Sequence, residues 1–446
     1  MQGVQWSFDF MAKKRKSTSL PVEELIPLVL PSILEPELRG LYQLACKNSE
    51  PIWHKLNLGE AKTPEKKVID EFISLTYKGM REAQKIIVSS VLSSDQDDYI
   101  SKARNFAYIG IADAIAWQLF RSQLAYAKRF FMCQNPPSLR ESNIESVLIA
   151  VEQCHSNEPD SIALISDLTS FIQVGDIYHV TKDCRVIVYE VKSGGVNLQI
   201  MNLLENMPSL QDPKDVPILF PDRTIHFQKQ IQRVIKQKRR MQEVQKTLIH
   251  DEGVDVSTNQ NVKIHEPEYN IGSWYESIEE LSKNCDDKGY ALDVIQDCLY
   301  IGCYKTGAFQ VPGQLAFEAW FSGMGGTPDC PRTSLINCMS DPLGLPIYNL
   351  PISDELKFDL LFGRKHISLA IHIPKLMKLC EGMGIPIKLA STKETARIIQ
   401  KQKHIWIFNG QAVSFGTGYL GEGFSLRVFY HGEKPLETLI AFAKSL

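Results

Sequence analysis

The run Val186-Ile187-Val188-Tyr189 ends in Glu190-Val191-Lys192, two opposite charges separated by one valine. β-Branched residues in series favour a strand, and residues two apart on a strand project to the same face. Glu190 and Lys192 are therefore expected side by side, with Val191 turned toward the core. Two charges beside an apolar strand are partly desolvated, which is costly unless they pair or surround a cation. Residues 161–165 and 177–180 are also short, β-branched and bounded by turn residues, so three consecutive strands are expected, closing on Ser193-Gly194-Gly195.

Helical periodicity flanks these strands. Residues 99–131 read as a long amphipathic helix, and residues 141–154 as a shorter one opening on a Ser142/Glu145 capping-box spacing. Residues 198–207 and 224–249 follow the strands as further helices. If residues 177–191 form a hairpin turning near 181–185, Asp176 returns opposite Glu190 and two carboxylates converge. Mg²⁺ binds through one or two carboxylates while keeping several waters. Such a cation would polarise a scissile phosphate, with Lys192 orienting water or stabilising developing charge.

Residues 174–195, VGDIYHVTKDCRVIVYEVKSGG, resemble the PD-(D/E)XK nuclease superfamily of restriction endonucleases, junction resolvases and bacterial defence nucleases. The resemblance covers about a third of the chain. It implies a restriction-endonuclease-like αβββα core within an α/β protein, with Asp176 and Glu190 as metal-binding acids and Lys192 as the catalytic lysine. Gly175 stands where the family usually has proline. The family often adds an acid from the first helix, for which Asp113 and Glu145 are both candidates. Mg²⁺ is the implied cofactor, with Mn²⁺ as a substitute. The implied activity is DNA endonuclease, in bacterial defence or DNA processing.

One stripe of the 224–249 helix carries His226, Gln230, Arg233, Gln237 and Arg240 at spacings of three and four, and Lys229, Lys236, Lys238 and Arg239 thicken it. The formal net charge of -3 gives the whole surface no pull toward nucleic acid, so a nucleic-acid site has to be a local patch of this kind. Lys229, Arg233, Lys236, Gln237 and Arg240 are the expected phosphate contacts, and DNA the expected partner. A solvated charged face is the competing reading.

At 446 residues the chain is long for one core. The expected organisation is a helical N-terminal region with a basic tail (1–98), the nuclease-like domain (99–250), a polar linker (251–268) and a separate C-terminal α+β domain (269–446). In that last domain residues 274–285 and 291–304 read as helices and residues 424–430 as a strand. It is the expected surface for a homo-oligomer or an activating partner. The ten cysteines include no CxxC, which argues against structural zinc and for reduced thiols in a cytoplasmic protein without membrane segments. The basic run 13–16 follows Met11, an alternative start to Met1. Two rivals remain: a non-cleaving nucleic-acid- or partner-binding protein on the nuclease fold, and a nucleotide-binding C-terminal module acting through its Gly-rich turns, although Gly416–Gly421 itself lies between two expected strands and reads as a β-turn. His366 and His372 share a strand face but have no third ligand, and Trp406 and Phe408 are expected in a core.

Overall fold

A computed structural model describes residues 29–444 except 57–63, 96, 133–138, 141–142, 256–259, 265–270, 308–309 and 402–403. Met11, the basic run 13–16 and Ser142 lie outside these residues. The chain divides into two compact units, one of Pro36–His265 and one of Met1–Glu35 with Glu266–Leu446. It is mixed α/β, with a helical N-terminal region and several small sheets.

At the centre of the first unit is an antiparallel meander, β1 (Ile162–Ile165), β2 (Ile177–Val180) and β3 (Val186–Tyr189), in the order β1-β2-β3. Ile177 pairs Tyr189 and Val180 pairs Val186. Thr181 closes the hairpin, its N–H donating to the Arg185 carbonyl at 3.0 Å and its hydroxyl accepting from the Arg185 N–H at 3.1 Å. The helix Tyr99–Leu119 packs behind the meander, and nearly every residue of its second half is buried. Trp117, Phe120, Phe130, Phe171 and Tyr178 form a continuous aromatic cluster there.

Residues 99–131 are not one helix. The chain breaks after Leu119 at Arg121 and Ser122, both left-handed, and resumes as Leu124–Phe130. The break brings Phe130 edge-on against Phe120 and Tyr178, a packing gain that periodicity alone does not register.

No boundary falls at residue 98. The helix Lys66–Ser93 belongs to the same unit because it completes the sheet: Gln84 donates to the Ala163 carbonyl at 3.0 Å and accepts from the Ile165 N–H at 2.9 Å. His155 Nε2 accepts the Ala163 N–H at 3.0 Å. Side chains thus satisfy the outer edge of β1, which would otherwise be open to another strand. The expected linker is also partly structured. Strands β4 (Glu252–Val254) and β5 (Asn261–Lys263) pair antiparallel, and the ion pair of 2.6 Å between half-buried Arg129 and buried Asp255 anchors them.

The other unit holds the antiparallel strands β6 (Tyr290–Ile295), β7 (Leu299–Lys305), β8 (Arg332–Ser334) and β9 (Lys365–Ile371), in the order β6-β7-β9-β8. A smaller sheet comprises β10 (Ile387–Leu389), β11 (Ile407–Phe408), β12 (Gln411–Phe415) and β13 (Gly418–Tyr419). Residues 291–304, expected to be helical, are the β6–β7 hairpin. The turn residues Gln296 and Asp297 are left-handed, and Gly302 leaves room for Phe317, whose ring a Cβ would approach to 2.6 Å. Residues 424–430, expected as a strand, lie in the helix Glu422–Tyr430, where Trp274 donates to the Val428 carbonyl at 2.6 Å. Short apolar runs fit either state, and tertiary contacts choose.

The N-terminal segment contributes to this second unit. The Leu30 N–H donates to the Leu361 carbonyl at 2.9 Å, and Glu35 receives both terminal nitrogens of Arg364. Gly416–Gly421 begins as a tight antiparallel turn, Phe415 pairing Gly418, so it lacks the parallel β-α-β setting of a dinucleotide site. His372 caps the helix Ile373–Gly382 by accepting from the Lys375 N–H, and its Nε2 meets the Met324 carbonyl at 3.0 Å. His366 is buried, which pushes its pKa down to about 4. Trp406 and Phe408 are buried as well. Among the described residues no cysteine is paired, and no helix is long and apolar enough to cross a membrane.

Candidate active site

Asp176 stands at the base of β2, where backbone pairing holds it on both sides. Its N–H donates to the Tyr189 carbonyl at 2.7 Å, and its own carbonyl accepts from the Ser166 N–H at 3.0 Å. Gly175 before it has φ +80°, and a Cβ there would stand 2.3 Å from Val188 Cγ1. Proline, confined to φ near -65°, does not fit this backbone.

Beyond the last residue of β3 the chain runs through Glu190, Val191 and Lys192 without regular secondary structure before the helix Gly195–Asn206. Val191 does not enter the core. It is half-buried, borders a cleft of about 880 Å³, and donates its N–H to Asp176 Oδ2 at 2.5 Å. Strand alternation stops mattering once the ladder has ended at Tyr189. Glu190 and Lys192 still project together, their charges 2.5 Å apart and their side chains only 16% and 15% exposed.

Asp176, Glu190 and Lys192 border the cleft on one side. The helix Ile225–His250 borders it on the other, started by Thr224, whose hydroxyl accepts from the Phe227 N–H. Ile231, Val234, Ile235 and Val244 bury its apolar face, and that rotation turns Lys229, Arg233, Lys236, Gln237 and Arg240 to the cleft. Gln237 links the two walls directly, accepting from Lys192 Nζ at 2.9 Å. His226 and Lys238 of the same stripe do not border the cleft.

Neither first-helix acid reaches it. Asp113 is buried and accepts from the Ser170 N–H at 2.7 Å, while burial pushes its carboxyl up to about 7. Glu145 is exposed in the first turn of Ile144–Asn157 and is not part of the lining. The sequence reading missed Asp167, which follows β1 and borders the cleft. An acid two residues past the end of a strand, facing Asp176 across the β1–β2 connection, was the available signal.

Electrostatically the acidic wall is crowded. Burial first, and the charge of Glu190 second, push the Asp176 carboxyl up to about 6; Asp167 adds to this, while the Val191 N–H and Lys192 oppose it. Among the described residues no group of three or more His, Cys, Asp or Glu side chains is arranged to hold a metal ion. The pair Asp176 and Glu190 nonetheless meets the Mg²⁺ requirement of one or two carboxylates, and a cation would relieve the repulsion that raises Asp176. The chain matches no protein-family model, no curated protein and no solved structure at significance.

Proposed function

We propose that the Pro36–His265 unit is a metal-dependent nuclease of the PD-(D/E)XK type that hydrolyses phosphodiester bonds of DNA. The observation that carries this reading is one cleft with Asp176, Glu190 and Lys192 along one wall and a row of cations from the Ile225–His250 helix along the other. The row neutralises backbone phosphates and draws the strand along the helix. Asp176 and Glu190 would hold Mg²⁺, or Mn²⁺ in its place. The cation, when bound, supplies Lewis acidity toward the scissile phosphate and lowers the pKa of water. Lys192, held between Glu190 and Gln237, is positioned to stabilise the charge that develops on phosphate as water adds and the ester P–O bond breaks. Partly closed walls strengthen each of these interactions over their value in water.

The test is nicking of supercoiled plasmid in Mg²⁺, in Mn²⁺ and in chelator, with Asp176→Ala and Glu190→Ala as controls. Cation-dependent nicking that both substitutions remove supports the proposal. Nicking that survives either substitution overturns it. One observation favours a second reading, a nucleic-acid-binding protein that does not cleave: Lys192 is engaged by Glu190 at 2.5 Å, an ion pair that competes with a cation for that carboxylate. DNA binding without nicking in any divalent cation would select it. A role for the protein in bacterial defence rests on the family resemblance alone.

A further inference from the structure

In the second unit, the sheet β6-β7-β9-β8 ends on one side at β6, and among the described residues no strand pairs with the outer edge of β6. Every residue of β7 from Leu299 to Tyr304 is buried, whereas every residue of β6 is half-buried or exposed, Tyr290 at 41%. The Lys305 N–H donates to the Gly289 carbonyl at 2.9 Å, so, counting in twos along the ladder, Ala291, Asp293 and Ile295 direct their backbone groups to β7. Tyr290, Leu292 and Val294 therefore turn N–H and C=O outward. The Val294 N–H follows this register, since it donates to the side chain of its own neighbour, Asp293 Oδ1, at 2.8 Å. β6 carries neither the lysine nor the proline that commonly blunts an edge strand.

The side chains of Tyr290, Leu292 and Val294 lie on the face that carries the helix Gln310–Gly323, because Leu292 pairs with Gly302, against which Phe317 of that helix packs. Glu318, the only charge of the helix, turns toward β8, where Arg332 pairs it at 2.5 Å. At 3.6 residues per turn the flank with Pro312, Ala316 and Ala319 is turned the other way, toward β6, and it is uncharged. An apolar row thus runs along the open edge beside an uncharged helix flank. On the opposite face Ala291, Asp293 and Ile295 neighbour the helix Ile278–Lys288, whose Cys285 meets Cys303.

We propose that β6 pairs antiparallel with β6 of a second copy of this chain, about a two-fold axis at Leu292, so that two sheets become one continuous sheet. This does not rest on the nuclease reading. The edge is self-complementary in that register. Tyr290 stands opposite Val294 of the second copy, an aromatic and β-branched pair of the kind that stabilises adjacent strands, and Leu292 stands opposite itself. All three outward-facing residues then exchange backbone hydrogen bonds. Charge selects this register from the alternative that overlaps β6 equally: a two-fold at Asp293 would set that carboxylate directly against its own copy, whereas a two-fold at Leu292 sets it opposite Ala291. An edge about 20 Å long and three layers of about 10 Å each give a face of about 600 Å² per copy. The total of about 1,200 Å² is at the lower limit for a specific interface, so the dimer dissociates on dilution.

The test is sedimentation equilibrium of the full chain over a wide range of concentration. Wild type is expected to pass from monomer to dimer as concentration rises. Leu292→Lys and Leu292→Glu each set like charges face to face at the two-fold, and each alone is expected to weaken association at least about tenfold. Mixed in equal amounts, the two variants bring opposite charges together and are expected to recover the dimer, which an interface elsewhere on the chain would not do. Circular dichroism checks that both are folded. Tyr290→Lys, at a side chain already exposed and set opposite Val294 of the second copy, decides the matter if the variants at 292 unfold, and it too is expected to weaken association. A wild-type chain that stays monomeric at every concentration overturns the proposal. So does a dimer that survives the substitutions, or a mixture of the two variants at 292, both folded, that does not associate.

Discussion

Val191 donates its N–H to Asp176 Oδ2 at 2.5 Å, so the peptide between Glu190 and Lys192 hangs from the carboxylate that faces them. The cleft side chains are therefore not independent: Asp176 positions the segment carrying the other two. Asp176→Asn keeps an acceptor for Val191 and should leave the fold intact while abolishing Mg²⁺-dependent nicking. Asp176→Ala should abolish nicking and also loosen residues 190–192, seen as faster amide exchange at Val191. Equal exchange in the two variants would show that the hydrogen bond does not organise the segment.

Lys192→Ala should lower the nicking rate about a hundredfold, the loss usual for one electrostatic stabiliser. Cation affinity should hold or rise, because Glu190 loses the ammonium that occupies it. Single-turnover rates across a Mg²⁺ titration measure both quantities. An unchanged rate would reduce the lysine to a structural ion pair.

Gly175→Ala should destabilise the Pro36–His265 unit by about 1–3 kcal/mol, from positive φ together with the contact a Cβ makes with Val188. Gly175→Pro should be worse, since its ring forbids φ +80° altogether. Urea unfolding of the full chain, followed by amide exchange at residues of the β2–β3 hairpin, is the measurement. A stable, active Gly175→Pro protein would mean that the turn can be rebuilt.

Asp113 makes stability depend on pH. Its folded carboxyl is pushed up to about 7 by burial, against about 3.9 when unfolded, so the folded state binds the extra proton between those values. Stability from this group is complete below pH 4 and is lost as pH rises through 7. Asp113→Asn retains an acceptor for the Ser170 N–H but adds a buried amide donor. The variant should be less stable than wild type at pH 5 and more stable at pH 8. Parallel denaturation curves at the two pH values, without a crossover, would show that the carboxyl is not the titrating group.

The fragment Pro36–His265 should fold and nick DNA alone, whereas a fragment beginning at Tyr269 should be destabilised, because it lacks the Leu30–Leu361 hydrogen bond and the Glu35–Arg364 ion pair. Thermal melts of the C-terminal fragment with and without a peptide of residues 29–35 measure this. No gain from the peptide would show that the segment is dispensable.

Local pattern was enough to locate the three strands, the 181–185 turn and the helix after Thr224, because side-chain period and capping chemistry are written along the chain itself. It also singled out Asp176, Glu190, Lys192 and the basic stripe, since charges set against an apolar strand or gathered on one helix face stand out without a fold. Tertiary structure decided what they share. Burial of Ile231, Val234 and Ile235 sets the rotation of the helix, and that rotation turns Arg233, Gln237 and Arg240 to the same cleft as Asp176. Packing also withdrew Asp113 from the site, brought Asp167 into it, and joined Gln84 to the edge of β1 across 79 residues of chain. Residues 291–304, read as a helix, and 424–430, read as a strand, were misassigned for the same reason: an apolar run of that length satisfies either period, and only the surface it is buried against, supplied by distant residues such as Phe317 and Trp274, selects between strand and helix.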